Sequence, residues 1–211
     1  MKSSVLITGG GGFVARHLVP VLSKSSHVFV HVRKGSESTV IKSQDGITFL
    51  EGSLASEEIA QIIGSEVSTL FHFAGAVTAK DTIDLFDANV VTTVNAIDLM
   101  DRCSIPHMVF LSTAAVWSGS IEGILNESIP PEPDTPYGYA KLAAETLIID
   151  AVKRGKIRSA TILRCNNTYG PGSTQGVIAN FYEKLNLGHP VIINGDGMQL
   201  REPLYISDLV D

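Results

Sequence analysis

The sequence predicts an α/β fold, a doubly wound parallel sheet with covering helices that runs into the start of a smaller C-terminal lobe. Two observations carry that expectation. Short apolar runs alternate with stretches of helical period along most of the chain, and several of those runs are rich in Val and Ile almost throughout, as strands buried on both faces are. Strands are expected at 5–8, 28–32, 48–51, 69–74, 108–112 and 159–164. Helices are expected at 14–22, where Val14, Leu18, Val21 and Leu22 share a side, at 57–63, at 85–100 with Val90, Val94 and Ile97 in phase, and at 139–152 with Ala143, Leu147 and Ala151. After residue 170 the texture changes: Gly170, Pro171, Gly172 and Ser173 lead to a helix-like 177–187 and short strands near 191–193 and 204–206, with Gly195 and Gly197 between them. The expected division is therefore a main α/β domain at 1–170 and a partial second lobe at 171–211.

Composition removes several classes of function. With 211 residues, 44% hydrophobic and 18% charged, the chain is apolar enough to bury a core, and disorder and collagen-like repeats are excluded. A net charge of −6, from 16 Lys and Arg against 22 Asp and Glu, with no basic run, leaves no footprint for nucleic acid. Cys103 and Cys165 are too few for a disulfide framework or a four-ligand zinc site, so no metal and a reducing compartment are expected. Lys2 followed by Val5, Leu6 and Ile7 faintly resembles a secretion signal, but glycines at 9–12 interrupt it. No apolar run approaches the roughly 18 residues of a membrane span, so a soluble, cytoplasmic protein with no membrane partner is expected.

The chemistry is concentrated in three places. Val5 to Thr8, Gly9 to Gly12 and then Phe13, Val14 and Ala15 put a glycine turn between a strand and a helix, with Gly9, Gly12 and Ala15 in GxxGxxA spacing. Such a Rossmann-type turn suits a diphosphate: glycine permits the tight bend and close backbone approach, and the helix N-terminus offers free N–H groups and a positive dipole. At the end of the second strand, Arg33 and Lys34 stand where an acidic residue would bind a ribose 2′-hydroxyl, which favours NADP over NAD unless both are ordinary solvated cations.

Tyr137 and Lys141 form a YxxxK pair at the head of a helix, one turn apart on one face. A free phenol has a pKa of about 10, but an ammonium about 4 Å away at an effective dielectric near 20 stabilises the phenolate by about 4 kcal/mol. That makes Tyr137 a working proton acceptor. Upstream, the fifth strand runs into Ser112 and Thr113, at the sheet end where open α/β folds bind ligands. Thr113 either hydrogen-bonds the same substrate oxygen as Tyr137 or caps local backbone.

These residues together resemble the extended short-chain dehydrogenase/reductase family, in its nucleotide-sugar epimerase, dehydratase and reductase branch. The resemblance covers nearly the whole chain: Thr8 to Phe13, His72-Phe73-Ala74-Gly75, Asn89-Val90 with Thr93 and Asn95, Ser112-Thr113 through Val116, and Tyr137 with Lys141. It continues through Leu163-Arg164, Asn167-Thr168-Tyr169-Gly170-Pro171, Gly195-Asp196-Gly197, Arg201 and Tyr205-Ile206-Ser207-Asp208. It implies that Tyr137 removes a proton from a sugar hydroxyl, typically at C4, while hydride passes to nicotinamide. Lys141 would hold the ribose hydroxyls and depress the tyrosine pKa, and Thr113 would orient the substrate oxygen. Cofactor contacts would fall at Phe13, Val14, Arg33, Ser53, Leu54, Phe73, Ala74, Gly75, Ala76, Val77, Asn89, Lys141 and Asn166, beside Gly9 and Gly12. Asn167 and Arg201 would face the diphosphate of the nucleotide sugar. A homodimer through the helices at 85–100 and 139–152 is implied by the resemblance alone.

Departures from the family narrow the chemistry. Ser53 replaces the usual aspartate after Gly52, which removes a carboxylate from adenine recognition, and Trp117 replaces a common tyrosine. Ala114 and Ala115 stand where 4,6-dehydratases place an acidic pair, and Ala114 lacks the cysteine of 3,5-epimerising members. What remains is C4 epimerisation, placed first, or NADPH-dependent 4-keto reduction, toward which Arg33 tilts. Family members continue beyond the equivalent of Asp211, which makes a dinucleotide-binding module or sensor the expectation from another class. Retention of Thr113, Tyr137 and Lys141 weighs against it.

Overall fold

The computed structural model describes residues 3–33, 35, 45–119 and 123–211; Lys2 and Lys34 lie outside them. The chain forms two compact units, Met1–Arg164 and Cys165–Asp211.

The first unit is built on six strands, β1 (Ser4–Thr8), β2 (His27–Val32), β3 (Ile47–Glu51), β4 (Val67–His72), β5 (His107–Thr113) and β6 (Ser159–Cys165, whose last residue belongs to the second unit), in the order β3-β2-β1-β4-β5-β6. Register is parallel between β1 and β2, β1 and β4, β2 and β3, and β4 and β5. The order reverses between β1 and β4, and open α/β sheets bind ligands at the strand C-termini beside such a switch point. Leu6, Leu70 and Phe110 are fully buried between layers of helices, which is why the strands read as nearly continuous apolar runs.

The helices are α1 (Phe13–Leu22), α2 (Glu57–Ile63), α3 (Thr82–Phe86), α4 (Thr92–Cys103) and α5 (Pro136–Lys153). Local chemistry fixes their starts. Ser56 caps α2 by accepting from the Ile59 N–H at 3.3 Å, Asp81 caps α3 through the Asp84 N–H, and Thr135 caps α5 through the Gly138 N–H with Pro136 at the first turn. Here the structure corrects the sequence in two places. The helix expected over 85–100 is two helices, α3 and α4, joined by a π-helical turn at Asp87–Val91, whose extra residue per turn breaks the 3.6-residue phase. The strand expected to reach Ala74 stops at His72, because the Ala74 N–H turns out of the ladder to the Thr8 hydroxyl.

The second unit contains β7 (Thr168–Tyr169), α6 (Gly176–Asn186), β8 (Leu204–Tyr205) and α7 (Ile206–Val210). No strand forms at 191–193, where Ile192 and Ile193 stay exposed; β8 pairs instead in parallel with β7, a strand too short to show in the sequence pattern. Gly170 at φ +150° is required there, since a Cβ would come within 2.5 Å of the Ile206 side chain. Among the described residues no helix is long and apolar enough to cross a membrane, and no cluster of three metal-ligating side chains occurs.

Candidate active site

A groove of about 390 Å³ lies along the C-terminal ends of β1, β2 and β4. Its floor depends on glycine. Gly9 has φ +74°, and a Cβ there would come within 2.8 Å of the Phe73 carbonyl and the Ala74 nitrogen; one on Gly10 would come within 2.3 Å of the Val30 side chain. Gly12 starts α1 with no side-chain cap, so the helix N-terminus faces the groove with its backbone alone.

Of the expected cofactor contacts, Gly9, Gly12, Arg33, Ser53, Leu54, Phe73, Ala74 and Gly75 line this groove. Sequence reasoning missed His31, Val32, Ala88 and Thr92, and it quoted Gly10, Gly11, Gly52 and Asn95 only as motif residues. His31 ties the parts together: its Nε2–H donates to the Gly52 carbonyl at 2.9 Å, and its own carbonyl accepts from the Gly10 N–H at 3.0 Å. Burial pushes its pKa below the usual histidine range. Its signal was a histidine at the end of an otherwise apolar strand.

Behind the groove a hydrogen-bonded chain crosses the sheet. The Ala74 N–H donates to Thr8 Oγ1, Thr8 donates to His72 Nδ1 at 2.7 Å, His72 Nε2–H donates to Thr93 Oγ1 at 3.1 Å, and Thr93 donates to the Asn89 carbonyl at 2.6 Å. Each hydroxyl has one hydrogen, so this order fixes the neutral Nε2–H tautomer of His72. Complete burial, with Lys141 and His31 adding repulsion, pushes its pKa down to about 3.

The π turn aims Asn89 inward. Its amide donates to the Ala76 and Leu85 carbonyls at 2.9 and 2.8 Å, while its buried Oδ1 has no hydrogen-bond partner among the described residues. That oxygen lies 2.6 Å from where a Cβ on Gly75 would stand, and Lys141 Nζ lies 3.9 Å from the same point. Gly75, Asn89 and Lys141 thus meet at the rim of the groove. Phe13 and Val14 open α1, half-buried, and Val77 is exposed beyond Ala76.

On α5, Tyr137, Lys141 and Glu145 follow at four-residue spacing, so they share one face. Tyr137 is half-buried in the first turn; Lys141 and Glu145 are 5% and 1% exposed. Lys141 Nζ sits 4.2 Å from the centroid of the Phe110 ring, against which His72 stacks at 5.7 Å. Burial drives the Lys141 pKa down to about 8, and Glu145 opposes that shift. Thr113 ends β5 and accepts from the Ala115 N–H at 3.1 Å, which leaves its hydroxyl hydrogen to donate. The local cap weighed from sequence is therefore present, and it is compatible with a bond to substrate. Ala114 and Ala115 open a 3₁₀ turn with no acid in it.

Asn166, Asn167 and Arg201 belong to the second unit, where all three are exposed. The Asn167 carbonyl accepts from the Leu204 N–H at 3.0 Å, and Arg201 bonds the Leu200 carbonyl.

Residues 5–211 match the sequence model of the NAD dependent epimerase/dehydratase family. The chain belongs to that family. It is 26% identical to human dTDP-D-glucose 4,6-dehydratase, an alignment that takes in 98% of this chain and 63% of the human protein. It is 27% identical to a putative UDP-glucose 4-epimerase of Methanocaldococcus jannaschii, over 97% of this chain and 70% of that one. The structure of MoeE5 in complex with UDP-glucuronic acid and NAD superposes with a TM-score of 0.85 at 29% identity, covering 98% of this chain and 69% of MoeE5. The chain therefore spans under two thirds of the length of the human relative. The glycine floor, the uncapped α1 terminus and the unpaired Asn89 oxygen fit the dinucleotide that this family uses.

Proposed function

We propose that the protein is a nucleotide-sugar 4-epimerase working with a bound nicotinamide dinucleotide. One juxtaposition carries the reading: the Lys141 amine reaches the rim of the glycine-floored groove one helical turn from Tyr137, on a helix whose Gly138 abuts the Ala115 carbonyl just after Thr113, which still has a hydrogen to donate. Tyr137 takes the proton of the sugar C4 hydroxyl and returns it. Lys141, as an ammonium, stabilises the phenolate and holds ribose hydroxyls. Thr113 donates to the reacting oxygen. A bound nicotinamide would supply reversible hydride acceptance at C4, which is chemistry no side chain here can supply.

Dehydration is the less fitting outcome, although a dehydratase is among the relatives. Expelling a hydroxyl as water needs a proton donor beside it, and the positions after Thr113 are Ala114 and Ala115. A 4-keto reductase is the second reading, favoured by Arg33, which lines the groove where it would meet a 2′-phosphate. Both readings take NADP or NAD, with Arg33 favouring NADP. Asn166 joins the cofactor contacts in this reading, Asn167 and Arg201 grip the substrate diphosphate, and residues 171–211 begin the substrate lobe. Exposed Val91 and Val94 near the start of α4, with Tyr139 and Ile149 on α5, support a homodimer through these helices, and the two free thiols support a cytoplasmic setting.

Acid extraction of the purified protein followed by chromatography separates the readings. An epimerase yields near-stoichiometric oxidised dinucleotide and interconverts a UDP-hexose with its C4 epimer. An empty site that takes up NADPH and reduces a 4-keto sugar nucleotide supports the reductase, and a protein with no dinucleotide affinity overturns both.

A further inference from the structure

Behind the Tyr137–Lys141 pair lies a charged cluster that the proposed proton transfer does not itself use. Arg164, at the end of β6, grips Glu145 with both arms: Nη2 donates to Oε2 at 2.7 Å, and Nε lies 3.1 and 3.2 Å from the two carboxylate oxygens. Ser112 Oγ donates to the same carboxylate, so the residue before Thr113 is anchored to α5. The guanidinium stacks on Trp117, 4.5 Å from the ring centroid, and the indole N–H of Trp117 is held by the Ile129 carbonyl. One carboxylate thus joins the helix carrying Tyr137 and Lys141 to the strand end carrying Thr113.

Among the described residues, few groups bear on the Lys141 charge. Glu145 lies one turn along the same helix, neutral His72 on β4 stacks on the Phe110 ring, and Arg164 on β6 is paired with Glu145. Tyr137 is the fourth, and β5 contributes Phe110 and Ser112, which do not titrate. Burial favours the neutral amine, and Glu145 is the anion opposing it. Glu145 is in turn largely neutralised by Arg164, whose guanidinium does not deprotonate.

We propose that Glu145 is a positioning residue: gripped by Arg164 and Ser112, its carboxylate holds Lys141 as an ammonium one turn from Tyr137, and Arg164 sets how much of that negative charge Lys141 feels. The role in catalysis rests on the epimerase reading, whereas the charge coupling does not. Because Arg164 and Glu145 act on Lys141 with opposite signs, their removal has opposite effects. A purely structural salt bridge lacks that signature.

The test is a titration of the Lys141 amine by NMR, with the full chain labelled at lysine 13Cε and the resonance assigned by its loss in Lys141→Arg. Glu145→Gln lowers the Lys141 midpoint by about one pH unit or more, Arg164→Gln raises it, and the charge-retaining Glu145→Asp stays near wild type. Midpoints that stay fixed, or that move the same way in E145Q and R164Q, overturn the proposal. Should E145Q fail to fold, R164Q decides alone: an upward move supports the coupling, and a fixed or downward one overturns it. In parallel, the alkaline limb of sugar-nucleotide turnover follows each midpoint. Midpoints that move in a protein without turnover retain the coupling and reject the epimerase, whereas turnover with unmoved midpoints rejects the coupling alone.

Discussion

Two buried polar centres meet at the Phe110 ring, and they are built on opposite principles. The His72 centre is neutral: two threonine hydroxyls, a backbone N–H and a carbonyl satisfy every ring nitrogen, and nothing in it titrates near neutral pH. The Lys141 centre sets a buried amine one helical turn from a carboxylate that is itself paired with a guanidinium. The difference matches the division the proposed function makes between scaffold and chemistry. A closed hydrogen-bonded chain rigidifies the glycine floor and the π turn at little electrostatic cost. A buried net positive charge is expensive, and it is the form that makes a neighbouring phenol acidic.

The largest effect that can break this contrast is on turnover. Tyr137→Phe keeps dinucleotide binding within a few fold, measured by titration calorimetry, and lowers turnover by about a thousandfold or more, as expected for loss of the proton-transferring group. Equal loss of binding and turnover would place Tyr137 on the scaffold side.

Next comes the acid side of stability. His72 in the folded chain binds its proton only near pH 3, whereas the unfolded histidine does so near 6.5. Between these values the unfolded state takes up a proton that the folded state refuses. Stability therefore falls by about 1.4 kcal/mol for each pH unit on acidification through that window. Urea melts of His72→Gln against wild type from pH 7 to 4 show a shallower slope in the variant; parallel slopes would remove His72 from the scaffold.

The lysine follows the same linkage at higher pH. Its folded value of about 8 lies below the ordinary 10.5, so the buried ammonium costs stability at neutral pH, and that cost is relieved as pH rises from 8 to 10.5. Lys141→Met accordingly raises unfolding free energy at pH 7 by about 1–3 kcal/mol while removing turnover, a trade expected where function holds a strained group. A less stable K141M protein would contradict the assignment. The smallest effect sharpens the cofactor reading: Arg33→Asp shifts relative affinity from NADP toward NAD by about 1–2 kcal/mol, read from the two dissociation constants. An unchanged ratio would return Arg33 to the solvated surface.

Much of the fold was legible in the sequence because its strands are buried on both faces. All six main strands were found, since a continuous run of Val, Ile and Leu needs no partner to be recognised. The π turn at Asp87–Val91 was not, because one inserted residue leaves the apolar pattern helical on either side. The β7–β8 pair escaped for a related reason: two residues are too few to show alternation. In the site, glycine spacing and YxxxK exposed the groove and the helix face. His31 and Glu145 stayed hidden, and Arg164 was quoted only as a motif residue, since a polar residue within an apolar run announces burial but not the partner brought to it from a distant strand.

The central claim is that Tyr137 on α5 takes and returns the proton of the sugar C4 hydroxyl while the hydrogen at C4 leaves as hydride and returns to the same carbon. The direct measurement is 1H NMR of UDP-glucose, UDP-glucuronic acid and dTDP-glucose, each carrying deuterium at C4, after incubation with the protein. The account predicts a C4-epimeric product that keeps its deuterium at C4, with none formed by Tyr137→Phe. Deuterium delivered to C6 of a dehydrated sugar, or exchanged into solvent, would contradict it.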